Sequence, residues 1–279
     1  MKQFKDRVAV ITGGASGIGL ALARRAADEG MKLVLADIEE AALAAAAAEL
    51  RAKGAQVLSV RTDVSRGEDV ERLAEQTLKA YGGVHLVCNN AGVGGVRARA
   101  WEASAKDWQW VLGVNVWGVI HGVRVFTPIM LRQGEEGHIV NTASAAGLVS
   151  MASTAPYAVS KHSVVTLSEV LYHDLKAEQA KVGVSVLCPA WVGTNIWDSQ
   201  RNRPQNLRDH ADTAEERARR AELRTLLEKG KVTAADVAGM SFEAIAEDRF
   251  YIFPHPKIRR DIQTRMEDIL ELRNPTRTA

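Results

Sequence analysis

The chain runs to 279 residues, 46% of them hydrophobic and 25% charged, proportions of a soluble globular protein able to bury a substantial core. A net charge of +2 with no concentrated Lys/Arg run argues against a nucleic-acid partner, and no apolar stretch reaches the ~20 residues of a membrane span. Two cysteines and seven scattered histidines offer no metal-ligand spacing, and the charged N-terminus leads directly into a strand rather than a signal sequence, so no metal and a cytoplasmic location are expected.

The first element is the β-branched run "RVAVITG" at residues 7–13, which reads as a strand buried on both faces. "GIGLALARRAADEG" follows with apolar positions at helical spacing and Gly30 placed to end the helix. The alternation continues through a strand at 32–37, an Ala-rich helix at 39–53, the strand "AQVLSVRTD", a helix at 67–81 and the strand "VHLVCNN". A long helical region is expected over 103–132, then the strand "GHIVNTAS", a helix carrying Tyr157, and the strand "GVSVLCP". Six strands alternating with helices predict an α/β single domain with a doubly wound parallel sheet. The later run "RFYIFP" brings the sheet to about seven strands. Its ligand crevice is expected at the carboxyl ends of the strands.

The pattern breaks after Pro189. Residues 195–212 are polar and turn-rich, and they lead to a charged helix with Thr213 as N-cap and Glu216 three residues on, a capping box. The span 195–230, beside the expected crevice, reads as a substrate lid rather than a second domain. Residues 250–279 make a C-terminal strand and helical tail, with the last helix expected over 257–272.

Between the first strand and the first helix lies "TGGASGIG", residues 12–19. Gly13, Gly17 and Gly19 leave room for a pyrophosphate to approach backbone N–H groups at a helix N-terminus, where the helix dipole is positive. Eighteen residues beyond Gly19, Asp37 ends the second strand, where a carboxylate can accept from both hydroxyls of an adenosine ribose. It would repel a 2′-phosphate, and the neighbouring Ile38 offers no cation to hold one, so NAD is favoured over NADP. Asp63, followed by Val64, either approaches the adenine or caps the next turn.

Further motifs appear in a fixed order: "NNAG" at 89–92, Asn115 in "GVNVWG", Ser144 in "NTAS", "YAVSK" at 157–161 and "PAWVGT" at 189–194. With the glycine loop they resemble the short-chain dehydrogenase/reductase family, over residues 5 to about 196. The resemblance implies a Rossmann-type fold with a catalytic tetrad of Asn115, Ser144, Tyr157 and Lys161. It extends the cofactor side to Ser16, Ile18, Asn89, Ala91, Gly92, Pro189, Val192 and Thr194, in addition to Tyr157 and Lys161. It also implies a homodimer or homotetramer formed through the helices at 104–132 and 155–181. One departure is Pro189-Ala190, where the family usually has Pro-Gly; alanine adds a Cβ where glycine allows unusual φ.

The chemistry such residues serve is alcohol oxidation, in which a proton leaves oxygen as hydride leaves carbon. A free tyrosine has a pKa of about 10, and an ammonium nearby favours its phenolate. Tyr157 and Lys161, four apart, share one helix face, which casts Tyr157 as general base in oxidation and general acid in reduction. Ser144 is expected to hold the substrate oxygen, and Asn115 to organise a water chain to Lys161.

Val93, Val149, Met151, Trp191, Ile196 and Trp197 are expected to wall a pocket for a bulky apolar or aryl-bearing alcohol or ketone. The helix at 213–229 carries Arg217, Arg219, Arg220 and Arg224, either as a solvated lid face or as a gate for an anionic substrate. Two other readings compete: an NADP-dependent ketone reductase, and a non-catalytic dinucleotide-sensing protein. The second would be expected to have lost Tyr157, Lys161 or Ser144, and all three are present.

Overall fold

The computed structural model describes residues 1–209 and 213–277. Residues 210–212 of the expected lid and 278–279 of the expected tail lie outside the described residues.

Strand β1 (Val8–Thr12) is buried at every position. Its side chains alternate between the two faces of the sheet. Ala9 and Ile11 pack with Leu22, Leu33, Leu50 and Phe242, while Val8 and Val10 pack with Val34, Leu73, Phe126 and Ile139. Both faces of the strand are dry, and its sequence is therefore apolar without alternation from Val8 to Ile11. Burying one such side chain, the fully enclosed Phe126 for example, contributes about 2–3 kcal/mol.

Around β1 stand β2 (Lys32–Asp37), β3 (Val57–Arg61), β4 (Leu86–Asn89), β5 (Gly137–Thr142), β6 (Val182–Leu187) and β7 (Tyr251–Ile252). Among the described residues they form one seven-stranded parallel sheet in the order β3-β2-β1-β4-β5-β6-β7. Helices α1 (Gly17–Asp28), α2 (Glu40–Ala52) and α8 (Ala234–Ala246) contribute Leu22, Leu50 and Phe242 to one face. Helices α3 (Gly67–Tyr81), α5 (Gly118–Gln133) and α6 (Ala155–Ala177) contribute Leu73, Phe126 and Leu171 to the other. The strand order reverses between β1 and β4, so the loops at their carboxyl ends part and open a crevice there.

The long helical region expected at 103–132 is not one α-helix. Ser104 caps α4 (Ala105–Leu112) in a box with Asp107, and a π-helical turn at Gly113–Trp117 separates it from α5. The run as a whole is long and apolar enough to cross a membrane by length and composition, but Val119, Phe126 and Met130 face the sheet, as in a core helix. Beyond β6, α7 (Ala214–Glu228) carries the expected Thr213–Glu216 capping box, and α9 (Ile258–Leu270) is the terminal helix.

Candidate active site

The crevice is a cleft of about 1450 Å³ at the carboxyl ends of the strands. At one end lies the glycine loop. Gly13 and Gly17 have φ of +65° and +55°, a region L side chains rarely enter. A Cβ on Gly13 would lie 2.9 Å from the Ala91 Cα, so the loop sits directly against the "NNAG" segment. Gly13, Ser16, Gly17 and Ile18 line the cleft. Gly19 does not. It is buried, and a Cβ there would stand 2.0 Å from the Gly13 carbonyl oxygen, so its work is to let α1 pack under the loop.

Asp37 lies beside this loop, with Oδ2 accepting from the Ala15 N–H at 3.0 Å and Oδ1 from the Glu39 N–H at 3.1 Å. Burial pushes its carboxyl above the usual range, opposed by those N–H donors. Asp63 and Val64 also line the cleft, and Asp63 Oδ1 accepts from the Ser65 N–H (3.0 Å) and hydroxyl (2.7 Å), so it caps its own turn at the cleft wall.

Asn89 is a correction. It faces away from the cleft, with 2% of its surface exposed and Nδ2 donating to Asn141 Oδ1 at 2.9 Å. A Cβ on Gly122 would come 1.9 Å from Asn89 Oδ1, so this side chain packs against a glycine of α5. Its neighbour Asn90 takes the opposite side and lines the cleft, donating from Nδ2 to the Thr12 carbonyl at 3.0 Å. The Thr12 hydroxyl in turn accepts the N–H groups of Asn90 and Ala91, tying β1 to the loop after β4.

The floor of the cleft is set by the register of β5 and β6, which runs from Gly137↔Val182 to Thr142↔Leu187. That register brings Ser144 beside Pro189: the Ala145 N–H donates to the Pro189 carbonyl at 2.9 Å, and the Ser144 hydroxyl points the same way at 3.3 Å. The Ala146 N–H donates to Ser144 Oγ at 3.1 Å, fixing its orientation. Pro156 lies in the first turn of α6, and Tyr157 and Lys161 follow on the face turned to the cleft. Lys161 is 3% exposed; Nζ donates to the Thr142 carbonyl at 2.9 Å and lies 5.7 Å from the centre of the Tyr157 ring.

Burial lowers the Lys161 ammonium to about 8. Burial also raises the Tyr157 phenol above its ordinary value, with the Ser144 hydroxyl pulling the other way. This differs from the expected lowering: taking the phenolate out of water outweighs the hydrogen bond with Ser144.

Asn115 lies in the π-helical turn and is fully buried. Its Oδ1 accepts the Val93 N–H at 2.8 Å, and its Nδ2 donates to the Val93 carbonyl and the Ser160 hydroxyl, both at 3.0 Å. The side chain is therefore a clasp between the loop after β4 and α6, one residue from Lys161, and its amide protons are spent on protein rather than on water. A Cβ on Gly92 would lie 3.3 Å from Asn115 Oδ1 and 3.5 Å from Lys161 Nζ, which shows how tightly these elements converge.

Ala91, Gly92, Pro189, Val192 and Thr194 line the cleft, as do Val93, Val149, Met151, Trp191 and Ile196. Trp197 does not line it: its ring lies under the Arg224 guanidinium at 5.1 Å and packs the α7 segment. From α7 the cleft receives Leu223, Leu226 and Leu227 rather than arginines. Arg219 instead holds the Arg97 carbonyl at 2.7 Å, and Arg224 pairs with Glu228.

Residues 195–209 cross the cleft as a strap tied to both banks. On one bank Arg201 and Asn202 donate to Glu39. On the other, the buried Arg203 pairs with Asp107 at 2.7 Å, and Lys106 donates to the Arg208 carbonyl. These pairings join residues about a hundred or more positions apart, and nothing local in the sequence signals them.

A family model described as short chain dehydrogenase matches residues 7–205. A 1-deoxy-11-beta-hydroxypentalenate dehydrogenase from Streptomyces exfoliatus is 38% identical over 267 residues, covering 95% of this chain and 89% of that one. A CLA biosynthesis dehydrogenase/reductase from Lactiplantibacillus plantarum is 33% identical over 273 residues, covering 97% and 95%. A crystal structure of a short chain dehydrogenase/reductase from Burkholderia phymatum in complex with NAD superposes with a TM-score of 0.97 at 54% identity, covering 100% of this chain and 99% of that one.

Proposed function

This chain belongs to the short-chain dehydrogenase family and is an oxidoreductase of it, and on that premise we propose that it interconverts a bulky, apolar secondary alcohol and its ketone with NAD as hydride carrier. The observation that carries this reading is the convergence of Ser144, Tyr157 and Lys161 on the floor of the cleft that the glycine loop opens. The loop fits a dinucleotide: its positive-φ glycines leave N–H groups uncovered by side chains at the start of α1, and Asp37 stands where a ribose would lie. NAD supplies an acceptor for hydride; the protein's own part is binding, orientation and the proton.

In the oxidative direction Tyr157 Oη takes the hydroxyl proton of the substrate, and in reduction it returns one to the ketone oxygen. Ser144 Oγ, aligned by the Ala146 N–H, holds the substrate oxygen beside that phenol. Lys161 offers the charge that offsets a phenolate, and Nζ is oriented by the Thr142 carbonyl. Asn115 acts as a positioning residue, clamping the Val93 loop to α6. The substrate end is walled by Val149, Met151, Trp191, Ile196 and Leu223, surfaces suited to a large apolar body. The substrate named for the Streptomyces exfoliatus relative, a hydroxypentalenate, supports the same reading.

The test is a panel of secondary alcohols and ketones from small aliphatic to polycyclic, assayed by the absorbance of NADH. Turnover rising with apolar bulk supports the proposal; turnover confined to the smallest alcohols, or none across the panel, refutes it. Replacing Asp37 by Ala is expected to weaken NADH binding by about tenfold while leaving NADPH binding no worse, because ribose hydrogen bonds to a carboxylate are lost together with its repulsion of a 2′-phosphate. Equal weakening of both dinucleotides, measured by calorimetry, would show that Asp37 only supports the loop.

A further inference from the structure

The strap brings a cation to a place where the second strand offers none. Arg201 Nη1 donates to the carbonyls of Asn195 (3.1 Å) and Asp198 (2.8 Å), which fixes its guanidinium against the strap's own backbone. The other edge of that guanidinium is aimed at Glu39: Nη2 to Oε1 at 2.6 Å and Nε to Oε2 at 3.3 Å, with Asn202 Nδ2 donating to Oε1 at 2.9 Å. Glu39 itself is two residues beyond Asp37 and donates its N–H to the Asp37 carboxylate. Asp37, Glu39, Arg201 and Asn202 all line the same end of the cleft as the glycine loop. The Arg201 side chain keeps Glu39 ionised, well below the usual carboxylate range.

A guanidinium edge held in two-point register with a carboxylate has the geometry that also grips a phosphate. We propose that Glu39 is a dinucleotide-specificity residue: by occupying the Nε–Nη2 edge of Arg201 it masks a cation that would otherwise hold the 2′-phosphate of NADP. Two carboxylates then line the adenosine end of the cleft, Asp37 where a ribose would lie and Glu39 neutralising the strap's arginine. Discrimination against a 2′-phosphate thus comes from across the cleft as well as from Asp37. This inference rests on the proposed dinucleotide site.

Dissociation constants for NADH, NADPH and adenosine 2′,5′-bisphosphate, read from quenching of intrinsic tryptophan fluorescence, test it without reference to turnover. Glu39→Ala is expected to tighten NADPH and the bisphosphate by about tenfold or more, with NADH little changed. Glu39→Gln keeps the contact with Arg201 but not the charge, and is expected to give a smaller gain. Adding Arg201→Ala to Glu39→Ala is expected to erase the gain. If Glu39→Ala gains nothing for the 2′-phosphate ligands, or if its gain survives the loss of Arg201, the inference is wrong while the functional reading stands. A wild-type protein that binds neither dinucleotide would overturn both together.

Discussion

Tyr157→Phe is expected to lower kcat by about 10²- to 10⁴-fold while NADH binds as tightly as to the wild type. The substitution keeps the ring that packs at the cleft floor 5.7 Å from Lys161 Nζ and removes only the oxygen that carries the proton. The glycine loop and Asp37 lie in other elements, held by their own hydrogen bonds to Ala15, Thr12 and Asn90, so the dinucleotide end is untouched. The measurement is steady-state turnover on the best substrate of the panel alongside NADH calorimetry. A variant within tenfold of wild-type kcat would place the proton transfer on another group. Loss of NADH binding in step with turnover would mean that the ring, not the phenol, is what matters.

Lys161→Met is expected to be almost inactive and yet no less stable at pH 7. In the fold the ammonium is buried and titrates near 8, against the ordinary 10.5 of an unfolded chain. Keeping it charged below pH 8 therefore costs about 3 kcal/mol of folding free energy. Methionine fills similar space with no charge to desolvate, and leaves the Thr142 carbonyl without its donor, a loss of about 1–3 kcal/mol that offsets part of the gain. The sign follows from proton counting. Between pH 8 and 10.5 the unfolded chain holds more protons than the folded one, so wild-type stability gains from Lys161 as pH rises through that window. The methionine variant lacks that contribution. Denaturant unfolding of both proteins at pH 7.5 and pH 10 should show the wild type closing on or overtaking the variant at the higher pH. Parallel pH profiles would show that Lys161 is not a strained buried cation, and normal turnover in the variant would remove it from the mechanism.

Both effects arise because this active site stores its chemistry in burial. Lys161 is buried and Tyr157 half-buried by α6 packing beneath the loops after β4 and β5, and the Asn115 clasp to Val93 and Ser160 holds that packing together. The π-helical turn supplies this clasp. A regular helix through 113–117 would rotate Asn115 relative to α5, and such insertions frequently mark functional sites. Helical periodicity along the chain does not reveal a one-residue insertion of this kind.

The sequence by itself determined the alternation of strands and helices, the glycine loop, the capping box at Thr213 and the spacing of Tyr157 and Lys161. Each of these is a property of near neighbours: strand burial shows as an apolar run, helix faces as a period of 3.6, and a tight turn as glycine. The family resemblance added Ser144 and Asn115 by their place in motifs. Tertiary structure alone decided the rest. Asn89 and Asn90 are adjacent in the chain, and only the packing of Asn89 against Gly122 of α5 shows which of them turns inward. Trp197 was lost to the pocket because Arg224, arriving from α7, covers its ring. Gly19 serves helix packing rather than the ligand, because the Gly13 carbonyl stands where its side chain would be. The pairing of Glu39 with Arg201 joins positions 162 residues apart, a separation at which no local pattern carries information. Such contacts exist only once the strap has folded back over the strand ends, because their partners are chosen by proximity in space and their chemistry by what water is excluded.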